Sequence, residues 1–283
     1  MYVMTVDYHA PDAAAQVIES MQKTGFVVLD NHDIPIDLIA KSYEEWQQFF
    51  KQPEDQKLKY KFQRDFKIVQ DGFFPSSTSE TAKGSQIKDL KEFYHYYPCG
   101  RTPEGMSDAT AELRTQLINI SRDILTWLEK GLPENTRQDL SMPLVDMIDT
   151  EQQSLLRILH YPPLSEHPEG AMRAAAHEDI NLITLIPAAT ASGLQVQDVH
   201  GRWHNIESKP NQIIINCGDM LQESSQNHYK ATTHRVMNPQ DQSAHTSRYS
   251  IPFFLHPRSD VRLSERYTAG SYLTERLKEL GLL

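Results

Sequence analysis

In the segment His177-Glu178-Asp179, an imidazole and a carboxylate stand two residues apart. The segment opens an apolar run, Ile180 to Ile186, whose pattern predicts a strand ended by Pro187. Side chains alternate faces along a strand, so His177 and Asp179 would project to one side and Glu178 to the other. Such a pair could occupy adjacent corners of a metal ion. A third ligand must come from elsewhere, and His234 in Thr232-Thr233-His234-Arg235-Val236 is the best candidate. Two histidines and one carboxylate on one octahedral face leave three positions open, which suits Fe(II) and oxygen chemistry. A structural zinc site would close four positions, and the sequence holds no four-ligand Cys/His set.

A His-x-Asp spacing is weak by itself in a chain with 12 histidines. His167-x-Glu169 has a similar spacing but lies in the proline-rich stretch Pro162 to Gly170, where no shared face is implied. His32, His200, His204, His245 and His256 adjoin turn residues and read as surface or locally hydrogen-bonded groups. What strengthens the triad is Arg248-Tyr249-Ser250, which starts an apolar strand 14 residues past His234. By the same alternation Arg248 and Ser250 share a face, and a guanidinium fork beside a hydroxyl suits a carboxylate.

The elements that would carry these residues fall into two halves. Residues 1–150 read as a mainly helical region packed on the core. Asp12 would cap a helix burying Val17, Ile18 and Met21 that stops near Gly25, and Phe26-Val27-Val28-Leu29 follows as a short strand. Leu38, Ile39, Tyr43, Trp46, Phe49 and Phe50 fall on one helical face. Another helix runs from about Asp108 to Lys130, with Gly131 as its stop, and the Gly/Ser/Thr/Pro-rich stretch Asp71 to Ser85 reads as a mobile loop. Residues 151–283 read as short strands separated by turns, namely Leu155 to Tyr161, Ile180 to Ile186, Leu194 to Gln197, Ile213 to Cys217 and Tyr249 to Leu255, then a helix from Tyr272 to Leu280. That spacing predicts a sandwich or jelly roll, with both halves forming one compact unit.

Composition sets outer limits. The chain has 283 residues, 39% of them hydrophobic, and a formal net charge of −10, which argues against nucleic acid as a partner. Its two cysteines, Cys99 and Cys217, cannot build a disulfide framework. The first residues lack a signal-peptide pattern and no stretch is apolar enough to span a bilayer, so a cytoplasmic protein without membrane association is expected.

With these residues in place, the chain resembles the isopenicillin N synthase-like family of Fe(II)/2-oxoglutarate-dependent oxygenases over nearly its whole length. Gly25-Phe26-Val27-Val28 leading to Asn31-His32-Asp33-Ile34-Pro35 resembles the family's N-terminal signature, and Phe49-Phe50 with Pro53 its next segment. Asp89-x-Lys91-Glu92, Tyr161-Pro162-Pro163, His177-x-Asp179, Gly193-Leu194-Gln195-Val196, Asn216-x-Gly218-Asp219, Tyr229-Lys230, His234-Arg235-Val236 and Arg248-x-Ser250 follow in family order. Two positions depart from the family pattern: Asp33 stands for a glycine, and Leu159 for an asparagine that many plant members place two residues before the tyrosine.

The resemblance implies an α+β fold with a mainly β core, a double-stranded β-helix (jelly roll) with flanking helices. It implies Fe(II) on His177, Asp179 and His234, with 2-oxoglutarate and dioxygen as co-substrates. Arg248 and Ser250 would take the distal carboxylate of 2-oxoglutarate, Tyr161 would contact the co-substrate or face the iron, and Asn216 would support the site from behind. The expected reaction is oxidation, typically hydroxylation, of a small organic molecule with release of succinate and CO2. An oxidase or cyclase of the same fold that consumes no 2-oxoglutarate, and a non-catalytic 2-oxoglutarate sensor, remain as alternatives. For the substrate wall, the segments Asp71 to Pro75 and Phe93 to Tyr97 nominate Phe73, Tyr94 and Tyr96, although alternation would turn either Tyr94 and Tyr96 or Phe93, His95 and Tyr97 toward a cavity.

Overall fold

The computed structural model describes residues 1–63, 70–78, 89–163, 172–238 and 245–279. The chain begins with β1 (Thr5–Asp7), α1 (Ala13–Thr24), β2 (Phe26–Asp30), α2 (Ile36–Phe50) and the short α3 (Glu54–Leu58). Next come β3 (Gly72–Phe74), β4 (Glu92–Tyr96), the long α4 (Ala109–Lys130) and α5 (Glu134–Asp139). The second half holds β5 (Leu155–Tyr161), β6 (Ala174–His177), β7 (Ile183–Pro187), β8 (Leu194–Gln197), β9 (Trp203–Asn205) and β10 (Ile213–Cys217). It closes with α6 (Asp219–Ser224), β11 (His234–Val236), β12 (Arg248–Ser250), β13 (Phe253–Leu255) and α7 (Ala269–Glu279). Among the described residues no helix is long and apolar enough to cross a membrane.

Nine strands form one sheet in the order β1-β2-β10-β7-β13-β5-β4-β3, with β12 also on β5; four form a second sheet, β6-β11-β8-β9. Among the strands of the described residues β1 and β2 pair in parallel and the other pairs are antiparallel. The period-two alternation of strand side chains divides the large sheet into two faces. Val27, Leu29, Ile213, Ile215, Leu185 and Phe253 point to one side, where they pack with Trp46 and Phe49 of α2 and Leu113, Leu117 and Ile124 of α4. Phe26, Val28, Phe93, Leu159, Tyr161 and Ile214 point to the other and meet Ala174, Leu194, Val196 and Val236 of the small sheet. The fold is thus a double-stranded β-helix whose large sheet is covered by helices outside and encloses the site inside.

Four strands, β1 to β4, come from the first 150 residues, so the region that reads as mainly helical also extends the large sheet. Within the expected mobile loop, Gly72–Phe74 is β3, held antiparallel to β4, while residues 79–85 lie outside the described ones. Asp12 occupies the N-cap of α1 without a side-chain capping bond. Gly25 ends that helix in the left-handed region at φ 68°, where a Cβ would also fall 2.5 Å from the carbonyl of Lys230.

Candidate active site

His177 is the last residue of β6 and stands opposite His234, its partner on β11. Asp179 follows in the connection to β7, so the expected strand-face argument for the His-x-Asp pair does not hold: the strand ends before the aspartate. A tight hydrogen-bonded connection places the carboxylate instead. The carbonyls of Asp179, Asn181 and Leu182 accept from the backbone N–H groups of Asp219, Met220 and Gly218 at 2.9 to 3.0 Å. This approach needs Gly218, because a Cβ there would lie 2.2 Å from the Asn181 carbonyl oxygen.

Both imidazoles are oriented by their own backbone. His177 Nδ1 is 2.8 Å from the carbonyl of Ala175, and His234 Nδ1 is 3.1 Å from that of Thr232. A carbonyl only accepts, so Nδ1 carries the hydrogen and Nε2 keeps its lone pair. Each Nε2 lies 3.7 Å from Asp179 Oδ1, and all three ligand atoms fall within 4.8 Å of one another, close enough for one ion to reach them all. Asp179 Oδ2 faces the protein instead, accepting from Thr184 Oγ1 at 2.6 Å and Asn216 Nδ2 at 2.8 Å. Asn181 Nδ2 donates in turn to Thr184 Oγ1 at 2.8 Å. Burial alone would raise the Asp179 pKa, but His234, His177, Asn216 and Thr184 outweigh it and hold the carboxylate below its ordinary range. Desolvation, then the facing His234, keep His177 below the usual imidazole range, although its outer edge opens to the cleft with 45% of the side chain exposed. The set therefore presents two imidazole nitrogens and one carboxylate oxygen, donors that suit a divalent iron.

Register also gathers the residues expected to take a carboxylate. Arg248 pairs with Tyr161 and Ser250 with Leu159, so Arg248, Ser250 and Tyr161 all share the inner face of the large sheet. Arg248 Nε donates to the carbonyls of Ala191 and Ser192 at 3.0 and 3.2 Å. Its guanidinium carbon sits 5.0 Å from the Tyr161 ring centroid. Nη1 is buried with no partner, and a buried donor left so is costly unless a ligand acceptor meets it. On the outer face, His160 bridges Glu92 Oε1 at 2.7 Å and Ser247 Oγ at 2.9 Å, Lys57 caps the same carboxylate at 2.8 Å, and Tyr249 stacks on His160. This network pins β12 from behind.

Asn216, expected to support the site from behind, has its amide on Asp179 and so orients that carboxylate. Phe73, Tyr94 and Tyr96 require a correction. Phe73 pairs with Tyr94, which pairs with Ile158, and Tyr96 pairs with Leu156; this row faces the helices, where Phe73 and Tyr94 are 0% exposed and Tyr94 packs 4.9 Å from Trp46. Alternation instead turns Phe74 and Phe93 inward, in register with Leu159 and Ser250. Phe74 stacks on Phe93 at 4.7 Å and on Phe62 at 5.0 Å, forming an aromatic wall. Asn181, Thr184 and Arg173 also escaped sequence reasoning. For the first two the available signal was two polar residues set inside the apolar run Ile180 to Ile186.

Residues 152–257 match the family model of the 2OG-Fe(II) oxygenase superfamily, and residues 5–116 match that of the non-haem dioxygenase N-terminal region named for morphine synthesis. A bi-functional coumaroyl CoA and feruloyl CoA ortho-hydroxylase of Ipomoea batatas is 29% identical over 89% of this chain and 68% of its own. A crystal structure from Shewanella oneidensis, assigned as an oxygenase, superposes with a TM-score of 0.88 at 47% identity over the full length of both chains. One from Caulobacter crescentus, assigned to the 2OG-Fe(II) oxygenase family, gives 0.79 at 30% identity over 98% of this chain and 99% of that one. The triad, the buried unpartnered Nη1 of Arg248 and these matches agree, and the chain belongs to the 2OG-Fe(II) oxygenase superfamily as a non-haem Fe(II)- and 2-oxoglutarate-dependent dioxygenase.

Proposed function

We propose that His177 Nε2, Asp179 Oδ1 and His234 Nε2 hold one Fe(II), and that Arg248 and Ser250 receive the distal carboxylate of 2-oxoglutarate above the Tyr161 ring. Iron held there would supply oxygen activation coupled to decarboxylation of 2-oxoglutarate, and the product would be an oxidised, typically hydroxylated, small organic molecule. The protein's own contribution is placement. Asn216 and Thr184 fix the carboxylate, the Nδ1 bonds fix the imidazoles, and Phe62, Phe74 and Phe93 offer a flat apolar wall for the substrate.

The observation that carries this reading is the division of labour within Asp179: one oxygen is held by two protein donors while the other is left to two lone-pair nitrogens. Anaerobic Fe(II) titration of the wild type should give one equivalent, and His177→Ala, Asp179→Ala or His234→Ala should remove it without unfolding the chain. Succinate should form in step with oxidised product. Full activity in any one of these variants would remove that residue from the site, and product without succinate would point to an oxidase of the same fold.

A further inference from the structure

Arg173 directly precedes β6, an edge strand of the small sheet. Its side chain is 1% exposed, although nothing in its sequence surroundings marks it for burial. Nη2 donates to the carbonyl of Thr246 at 3.2 Å, and Thr246 lies two residues before Arg248 on the lead into β12 of the large sheet. The side chain thus reaches from one sheet to the other beside the co-substrate residues. Nε is buried without a partner, as is Nη1 of Arg248, and among the described residues no carboxylate pairs with either guanidinium.

The other buried cations of this region are already matched. Lys91 pairs with Asp89 at 2.9 Å and Lys57 with Glu92 at 2.8 Å. A divalent metal, the Asp179 carboxylate, a dianionic co-substrate and Arg248 together carry no net charge. Among the described residues Arg173 then stands as one uncompensated positive charge in a site walled by aromatic rings. Burying a charge without a counter-ion costs several kcal/mol in general, so such a group persists where a ligand supplies the missing anion. Burial, then the like charge of Arg248, weaken its hold on its proton, the response of a cation that lacks a partner.

We propose that Arg173 anchors a carboxylate of the substrate, so that the molecule oxidised is a small organic acid. This rests on the assignment of Arg248 to 2-oxoglutarate. Arg173 supplies a fork of the kind that holds a carboxylate by two parallel bonds, with its buried, unpartnered Nε as one donor.

The test uses the full chain loaded anaerobically with Mn(II). Calorimetric binding of 2-oxoglutarate is measured first; its absence in the wild type would sink the co-substrate reading itself. With 2-oxoglutarate bound, phenylacetate, cinnamate and octanoate are then titrated against their primary amides. At least one acid should bind, with its amide about tenfold or more weaker, a comparison on the wild type that needs no variant. Arg173→Gln should weaken that acid by about ten- to a hundredfold and leave 2-oxoglutarate affinity within about twofold, while Arg173→Lys should keep part of the preference. The proposal is overturned if no acid binds, if acid and amide bind alike, or if Arg173→Gln lowers only thermal stability. It is also overturned if the variant weakens 2-oxoglutarate instead, since the guanidinium would then serve the co-substrate.

Discussion

Asn216 and Asp179 are joined by a 2.8 Å hydrogen bond that runs from the inner face of the large sheet to the metal-binding connection. The donor's place follows from alternation along β10: Ile213 and Ile215 pack toward the helices, and Ile214 and Asn216 face inward. One strand thus serves the core on one side and the metal ligand on the other. Because the amide holds Oδ2, it decides which oxygen is left for iron. Asn216→Leu, close to it in size but unable to donate, should weaken Fe(II) or Mn(II) binding by about ten- to a hundredfold while leaving the fold intact. Metal titration checks this, and unchanged affinity would show that Thr184 alone orients the carboxylate.

Arg248 offers a buried unpartnered Nη1 on the same face as Ser250, and its Nε is already fixed by two carbonyls. A lysine cannot satisfy those carbonyls and grip a carboxylate at once. Arg248→Lys should raise the 2-oxoglutarate KM by about ten- to a hundredfold, the cost of about 1.5–3 kcal/mol for a charge-assisted contact. Steady-state succinate release measures it. An unchanged KM would move Arg248 out of the co-substrate site.

The clustering of His177, Asp179 and His234 and the shared face of Arg248 and Ser250 were legible because few other roles require those residue types in that order. The reason given for the first pair was not legible. His177 and Asp179 meet through a connection whose shape depends on Gly218 and α6, far downstream in the chain, and no local spacing reports such a contact. The substrate wall failed for a related reason. Alternation says that Phe73 and Phe74, or Phe93 and Tyr94, face opposite ways, but only pairing with β5 says which way is inward. Arg173 carried no signal at all, since a lone arginine beside small residues looks like any surface cation until its burial is known.

That choice of face has a direct consequence for mutants. Phe93→Ala removes part of the inner wall, so 2-oxoglutarate should still be consumed while the substrate is poorly placed, and succinate should exceed product. Tyr94→Ala instead empties a site packed against Trp46 and Phe49, where large-to-small changes cost about 3–5 kcal/mol. It should lower thermal stability strongly and leave the succinate-to-product ratio of the remaining folded enzyme near that of the wild type. The reverse pattern would return Tyr94 to the pocket.

His256 ends the run that follows β13, its Nδ1 3.2 Å from the carbonyl of Phe254 and its backbone N–H on Ser154 Oγ at 2.9 Å. Burial pushes its pKa down to about 4; Arg157 adds to the fall, while the Phe254 and Ile180 backbone and the Asp179 charge oppose it. In the unfolded chain the ring titrates near its model value of 6.5. Between those two values the unfolded state binds a proton that the folded state refuses, so stability rises with pH across that window. The contribution is fully present above about 6.5, is lost as the pH falls toward about 4, and changes no further below that, when both states are protonated. At about 1.4 kcal/mol per unit, reduced because the ring is partly open to solvent, the loss should be about 1–3 kcal/mol. His256→Asn, which keeps a donor for the Phe254 carbonyl and cannot titrate, should therefore flatten the fall in Tm between pH 6.5 and pH 4 relative to the wild type. Denaturant unfolding of both proteins at several pH values measures the difference directly. Parallel pH profiles would mean that another group carries the acid sensitivity in this range.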